Sequence, residues 1–388
     1  MSFALKKDLH TITIVEKQAN LAACIAAIAS ENTIAIDLEF DHNLFRYGFQ
    51  LCLIQIATRK ECFIIDPISV KNLETLWACL RNPKQLKILH AAGEDIRLLK
   101  TLNCAIFPIF DTEIAAKLLN YPKVSLQNML LETLGIEVEK TMQKSDWGRR
   151  PLSSQQILYA ANDVIYLHRI YEKLKTDLEK REITWIFDQE CIALAAKEIE
   201  NEQKKFQDTY SSCSDYERFV LRKIFELREE TAKKLNKPPF QVFSNDMLWN
   251  LLKETETIVE NWHQQKGLHP KIKTDNFLEK LRQTIANAQQ QASEDNLSTQ
   301  AKTANRISAA QRQKMEIEKE TIFIPIRKVL VEKYGEQAIS LIMSKKVIDM
   351  LLEKTSTLSQ LKAYQKQLIM ETAASLSIDL TNYDVIAK

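Results

Sequence analysis

Thr33-Ile-Ala-Ile-Asp-Leu-Glu-Phe40 is apolar and β-branched up to its two acids. It therefore reads as a buried strand, on which side chains at i and i+2 point the same way. Asp37 and Glu39 share one face, and Leu38 and Phe40 take the other. Around this segment, Thr11–Val15, Leu51–Ala57, Glu61–Ile65 and Lys87–His90 have strand character, and 18–30, 70–81 and 93–102 have helical spacing. The runs at 33–38, 51–57 and 61–65 leave no room for helices between them, which predicts an antiparallel meander. A helix then leads to the next strand, giving an α/β domain with a mixed sheet.

Two further acidic motifs follow. His90-Ala-Ala-Gly-Glu-Asp95 runs from the end of a strand into a helix, at the open edge where α/β sheets place ligands. In Gln155–Leu167 the apolar positions recur at helical spacing, so Tyr159 and Asp163, four residues apart, lie on one helix face. A single long helix is expected from about Ser153 to Lys180, and a charged one over 183–206. Each motif alone is common: Asp-x-Glu at a strand end occurs often by chance, and Asp95 could simply serve the helix N-terminus. Together they form a set of four acids and a phenol. A phosphodiester is anionic, so such a set needs cations between it and its substrate. Hard oxygen ligands suit two divalent ions, Mg²⁺ or Mn²⁺.

Asp37-Leu-Glu39, Leu51–Ala57, His90–Asp95, Ser145-Asp-Trp-Gly-Arg-Arg-Pro-Leu152 and Tyr159-Ala-Ala-Asn-Asp-Val164 resemble the ribonuclease D family, DEDD 3′–5′ exonucleases of the Tyr subtype. The resemblance covers roughly residues 10–205 and continues more faintly beyond. It implies an α/β ribonuclease H-like (DnaQ-like exonuclease) mixed-sheet domain in which Asp37, Glu39, Asp95 and Asp163 bind the metal ions and Tyr159 positions the attacking water. It implies RNA as partner, release of nucleoside 5′-monophosphates, and a place in tRNA or other stable RNA maturation. Leu38 departs from the Thr that bacterial relatives often carry there; it resembles the exosome-associated relatives and points away from the acids.

Downstream, Leu221–Arg228 with Asn236-Lys-Pro-Pro-Phe-Gln-Val-Phe243 resembles an all-α HRDC domain, with Phe240 expected to pack back into the bundle. The expected domains are 1–207 (exonuclease), 208–295 (HRDC) and 296–388, a helical region resembling a second, degenerate HRDC domain, both helical modules serving RNA capture.

Net charge is only +2, and residues 1–213 hold 26 basic and 28 acidic side chains, so phosphate contacts must come from local clusters. Lys140, Lys144, Arg149 and Arg150 are candidates, with Phe40 to stack on a terminal base and His90 beside the strand end. Seven scattered cysteines form no Cys-x-x-Cys pair, which argues against zinc fingers and a disulfide framework. With no membrane-length apolar run and no signal-peptide pattern, a soluble, cytoplasmic protein is expected. A DNA-directed exonuclease and a non-catalytic RNA-binding protein are the alternatives.

Overall fold

In the computed structural model, the structure describes residues 4–7, 10–138, 142–198, 206, 209–301 and 308–384. Seven strands form one sheet: β1 (Ala4–Lys7), β2 (His10–Val15), β3 (Thr33–His42), β4 (Phe49–Ala57), β5 (Glu61–Ile65), β6 (Leu86–Leu89) and β7 (Ile109–Asp111). Their order is β1-β2-β5-β4-β3-β6-β7. β4 and β5 pair antiparallel, whereas β2 pairs parallel with β5 and β3 with β6, so the sheet is mixed as expected. All five strands read from sequence form. β1 and β7 were not anticipated; four and three residues are too few to show a period.

β3, β6 and β7 run parallel, with Ala35 opposite Ile88 and Leu89 opposite Asp111. Their C-terminal ends therefore open at the same edge, and the helices α3 (Gly93–Thr101) and α4 (Thr112–Leu118) begin there. Ile34, Ala35, Ile36 and Leu38 of β3 are buried, as are Leu21, Cys24 and Ile28 of α1 (Gln18–Ala29). This apolar floor leaves Asp37 and Glu39 to face the open edge. All seven cysteines are free, and all but Cys79 are buried.

The helix expected over 153–180 is two helices. α6 (Ser154–Ile165) and α7 (Leu167–Lys180) meet at Tyr166, whose φ of −99° and ψ of −9° leave the helical ladder. The apolar spacing continues through the break because both helices bury a face, Ala160, Ala161 and Val164 on one and Leu167, Ile170 and Leu174 on the other. The charged helix expected to reach 206 stops earlier: α8 spans Thr184–Ala196, and 199–205 lie outside the described residues. Beyond Ala196 the sequence offers mostly charged side chains and little to bury.

By packing, the chain divides into two compact units: Met1–Glu39 with Cys52–Ile199 and Ile307–Lys388, and Phe40–Leu51 with Glu200–Arg306. The helices after residue 308 thus belong with the sheet. In that unit Gln337 N–H donates to Asn120 Oδ1 at 2.9 Å and Tyr364 N–H to Gln189 Oε1 at 3.1 Å. Glu190, 4% exposed, accepts from Lys362 Nζ at 2.5 Å and from the Tyr364 hydroxyl.

The second unit is a helical bundle. Its first long helix, Asp215–Leu235, opens with a capping box in which Ser214 Oγ accepts from Glu217 N–H and the Glu217 carboxylate accepts from Ser214 N–H. It ends at Asn236, φ +48°. Phe240 does not pack inward as expected: it is 53% exposed, and Val242 and Phe243, both fully buried, fill the core instead. Pro238 precedes a four-residue turn, Pro239–Val242, so the inward-facing positions come two and three residues later than the Pro-Pro-Phe spacing implies. No helix among the described residues is long and apolar enough to cross a membrane.

Candidate active site

Three elements deliver the acids. β3 supplies Asp37 and Glu39 by strand alternation, with Leu38 on the opposite face, only 4% exposed. The first turn of α3 supplies Asp95. α6 supplies Tyr159 and Asp163 one turn apart, and its start is fixed by a capping box: Ser153 Oγ accepts from Gln156 N–H at 3.2 Å, and Gln156 Oε1 accepts from Ser153 N–H at 2.9 Å.

Oxygens of Asp37, Glu39 and Asp163 all lie within 4.8 Å of one another. Asp95 stands outside this triplet but is coupled to it: its charge pushes up the pKa of both Glu39 and Asp163. Burial is the main cause of the upward shift at each acid, followed by the charge of Asp163 at Asp37, of Asp37 at Glu39 and at Asp95, and of Asp95 at Asp163. Asp163 is pushed up to about 7. Acids so placed cannot all stay ionised near neutral pH without a cation among them. The donor set is all carboxylate oxygen, which fits a hard divalent ion. Tyr159 is raised above its ordinary value by burial and then by Asp163, Glu39 and Asp37.

Asp111, which sequence reading overlooked, organises one side of the site. Its carboxylate accepts four backbone N–H bonds, from Ala91 at 3.2 Å, Ala92 at 2.8 Å, Glu113 at 2.8 Å and Ile114 at 3.2 Å. It caps α4 and ties down the Ala91-Ala92-Gly93 turn that leads to Asp95, in which Ala91 takes φ +55°. Asp before Thr-Glu at a helix start was the available signal; β7 was too short to place it.

The substrate-contact candidates fare unequally. All five N–H donors of Arg150 are used within the protein: Nε and Nη2 on Asp66, Nη2 also on Cys52 O, and Nη1 on Trp147 O and Arg149 O. It has none left for a phosphate, which corrects that expectation. Arg149 is exposed, as is Lys144, and Lys140 lies outside the described residues. His90 Nδ1 meets the Thr112 hydroxyl at 2.8 Å, and burial pushes the ring down to about 4, so it is neutral. Phe40 packs edge to face on Phe49, ring centroids 5.0 Å apart. Strand alternation puts it opposite Asp37 and Glu39.

An acid triplet with a fourth acid beside it, a phenol one helical turn away, and a mixed sheet opening at its C-terminal edge define the divalent-metal-dependent 3′–5′ exonuclease class. Residues 12–179 match the 3′–5′ exonuclease family model and 217–285 the HRDC domain model. Ribonuclease D of Bartonella henselae is 31% identical over 278 residues, 67% of this chain and 68% of that protein. The exosome complex component 10 homolog of Caenorhabditis elegans is 31% identical over 264 residues, 65% of this chain and 30% of that one. Among solved structures, ribonuclease D of Escherichia coli superposes with a TM-score of 0.74 over 96% of this chain and 99% of its own, at 23% identity. The catalytic core of RRP6 from Trypanosoma brucei gives 0.63 over 74% and 82%, at 25% identity. The chain belongs to the ribonuclease D family of 3′–5′ exoribonucleases.

Proposed function

We propose that this protein trims the 3′ ends of structured RNAs, tRNA precursors or other stable RNAs, in the cytoplasm, releasing nucleoside 5′-monophosphates with Mg²⁺ or Mn²⁺ as the working ion. The observation that carries the reading is the triplet of carboxylates within 4.8 Å, with Asp95 coupled to it and Tyr159 one turn along α6. Asp37, Glu39, Asp95 and Asp163 would hold two ions. Bound there, divalent ions offset the phosphate's charge and lower the pKa of bound water. The carboxylates gather at the open edge of the sheet, where an RNA end can enter. Tyr159, one helical turn from Asp163, orients the attacking water by a hydrogen bond from its hydroxyl. Of the substrate-contact candidates, Arg149 and Lys144 are exposed and positioned to meet the phosphate backbone. The spans 1–207, 208–295 and 296–388 are retained as sequence modules, the helical ones for RNA capture; the second also carries the HRDC match.

The test is product analysis on a 5′-labelled RNA ladder beside a matched DNA, with Mg²⁺, Mn²⁺ or EDTA. Single-nucleotide shortening of RNA that EDTA stops is expected. Asp37→Asn and Asp163→Asn should each abolish it while the protein stays folded, and wild-type rates in either would refute the assignment. Faster DNA digestion would favour the DNA-directed alternative.

A further inference from the structure

Ser145–Arg150 forms a turn tied down from two sides. From the sheet, Arg150 Nε and Nη2 grip Asp66 Oδ2 and Oδ1 at 2.8 and 2.7 Å, Nη2 also bonds Cys52 O at 2.8 Å, and Nη1 holds Trp147 O at 2.7 Å. Asp66 follows β5 directly and is itself fixed by Ile68 N–H and the Ser69 hydroxyl, both at 2.9 Å. From α6, Gln156 Nε2 donates to Ser145 Oγ at 3.1 Å. Suspended between them, the Trp147 ring is 3% exposed and faces Tyr159, ring centroids 5.9 Å apart and tilted by 40°. Its indole N–H has no acceptor among the described residues. What the ring offers Tyr159 is therefore a buried aromatic face.

We propose that Trp147 is a positioning residue for the hydrolysis: its ring sets the orientation of Tyr159, and the Arg150–Asp66 pair holds the ring in place. The inference rests on the reading of Tyr159 as the group that orients the attacking water. Asp37 and Glu39 are placed by β3, Asp95 by α3 and Asp163 by the backbone of α6, so the ring of Trp147 touches the orientation of Tyr159 without itself positioning the acids. Misplacing a group that orients the nucleophile by about 1 Å costs about 10²-fold in rate.

The experiment compares wild type with Trp147→Leu, Trp147→Phe, Tyr159→Phe and the Trp147→Leu/Tyr159→Phe double variant on a single-stranded oligoribonucleotide. kcat and KM are measured together with the rise in melting temperature that Mn²⁺ alone produces. Trp147→Leu is expected to lose about 10²-fold in kcat with KM within about threefold and the Mn²⁺ response unchanged. Trp147→Phe, which restores a ring face, should recover most of the rate. In the Tyr159→Phe background the Leu substitution should cost little more, since both act through one group. Full rate in Trp147→Leu, failure of Phe to rescue, or undiminished loss in the Tyr159→Phe background would overturn the proposal. A collapsed Mn²⁺ response in Trp147→Leu would mark a general structural role and overturn it equally. Tyr159→Phe at wild-type rate would instead remove the underlying reading of Tyr159, and a slow Trp147→Leu beside it would place the tryptophan's effect elsewhere.

Discussion

At the level of single residues, Asp37, Glu39, Asp95, Asp163 and Tyr159 were legible because each sits in a local pattern whose geometry is fixed by strand or helix period. Their mutual electrostatics were not, since burial and approach come from different parts of the chain. The raised pKa values give a stability prediction whose sign follows directly. A carboxyl that binds its proton more tightly in the folded state makes folding less favourable as pH rises from its unfolded value, about 4, toward its folded one, about 7 for Asp163. Metal-free protein should therefore lose melting temperature between pH 4 and 7, and added Mg²⁺ or Mn²⁺ should restore it more at pH 8 than at pH 5. Asp37→Asn should flatten both trends; calorimetry across that range checks this. Burial raises the pKa of Asp111 as well, but here the carboxylate is satisfied by four N–H groups. Asp111→Ala strands those donors and should destabilise by about 2–4 kcal/mol in denaturant titration. A loss under about 0.5 kcal/mol would mean water replaces it freely.

At the level of elements, periodicity located the long strands and helices and missed what interrupts or terminates them. The break at Tyr166 falls within a continuous apolar spacing, which does not encode it, whereas the early end of α8 coincides with the turn to charged side chains after Ala196. The Pro-Pro-Phe turn is a further instance: proline correctly marked the stop, while the identity of the inward residues depended on the turn's length. Gly335 shows a tertiary demand on a single link between helices. It takes φ +94°, and a Cβ there would lie 2.2 Å from the Asn120 side chain. Gly335→Ala should cost about 2 kcal/mol or more, measured by chemical unfolding, and Asn120→Ala in the same background should recover part of it.

For the whole molecule, the segment after residue 308 packs in the same unit as the sheet, through Gln337 on Asn120 and through Lys362 and Tyr364 on Glu190. Deleting 308–388 would uncover Glu190 and remove the hydrogen bonds made to Asn120, Gln189 and Glu190. Such a truncation should melt at a lower temperature than the full chain, whereas a freely hinged module would leave the melting of the sheet unit unchanged. The sequence by itself determined which faces the acids and the phenol take: strand alternation and the helical turn are short-range rules, so spacing alone assigned them. Tertiary structure alone decided that Arg150 is spent on Asp66 and that Asp111 anchors the Asp95 turn. It also decided that the last eighty residues pack with the sheet. Each of these depends on groups far apart in the chain meeting in space, and local periodicity carries no record of such meetings.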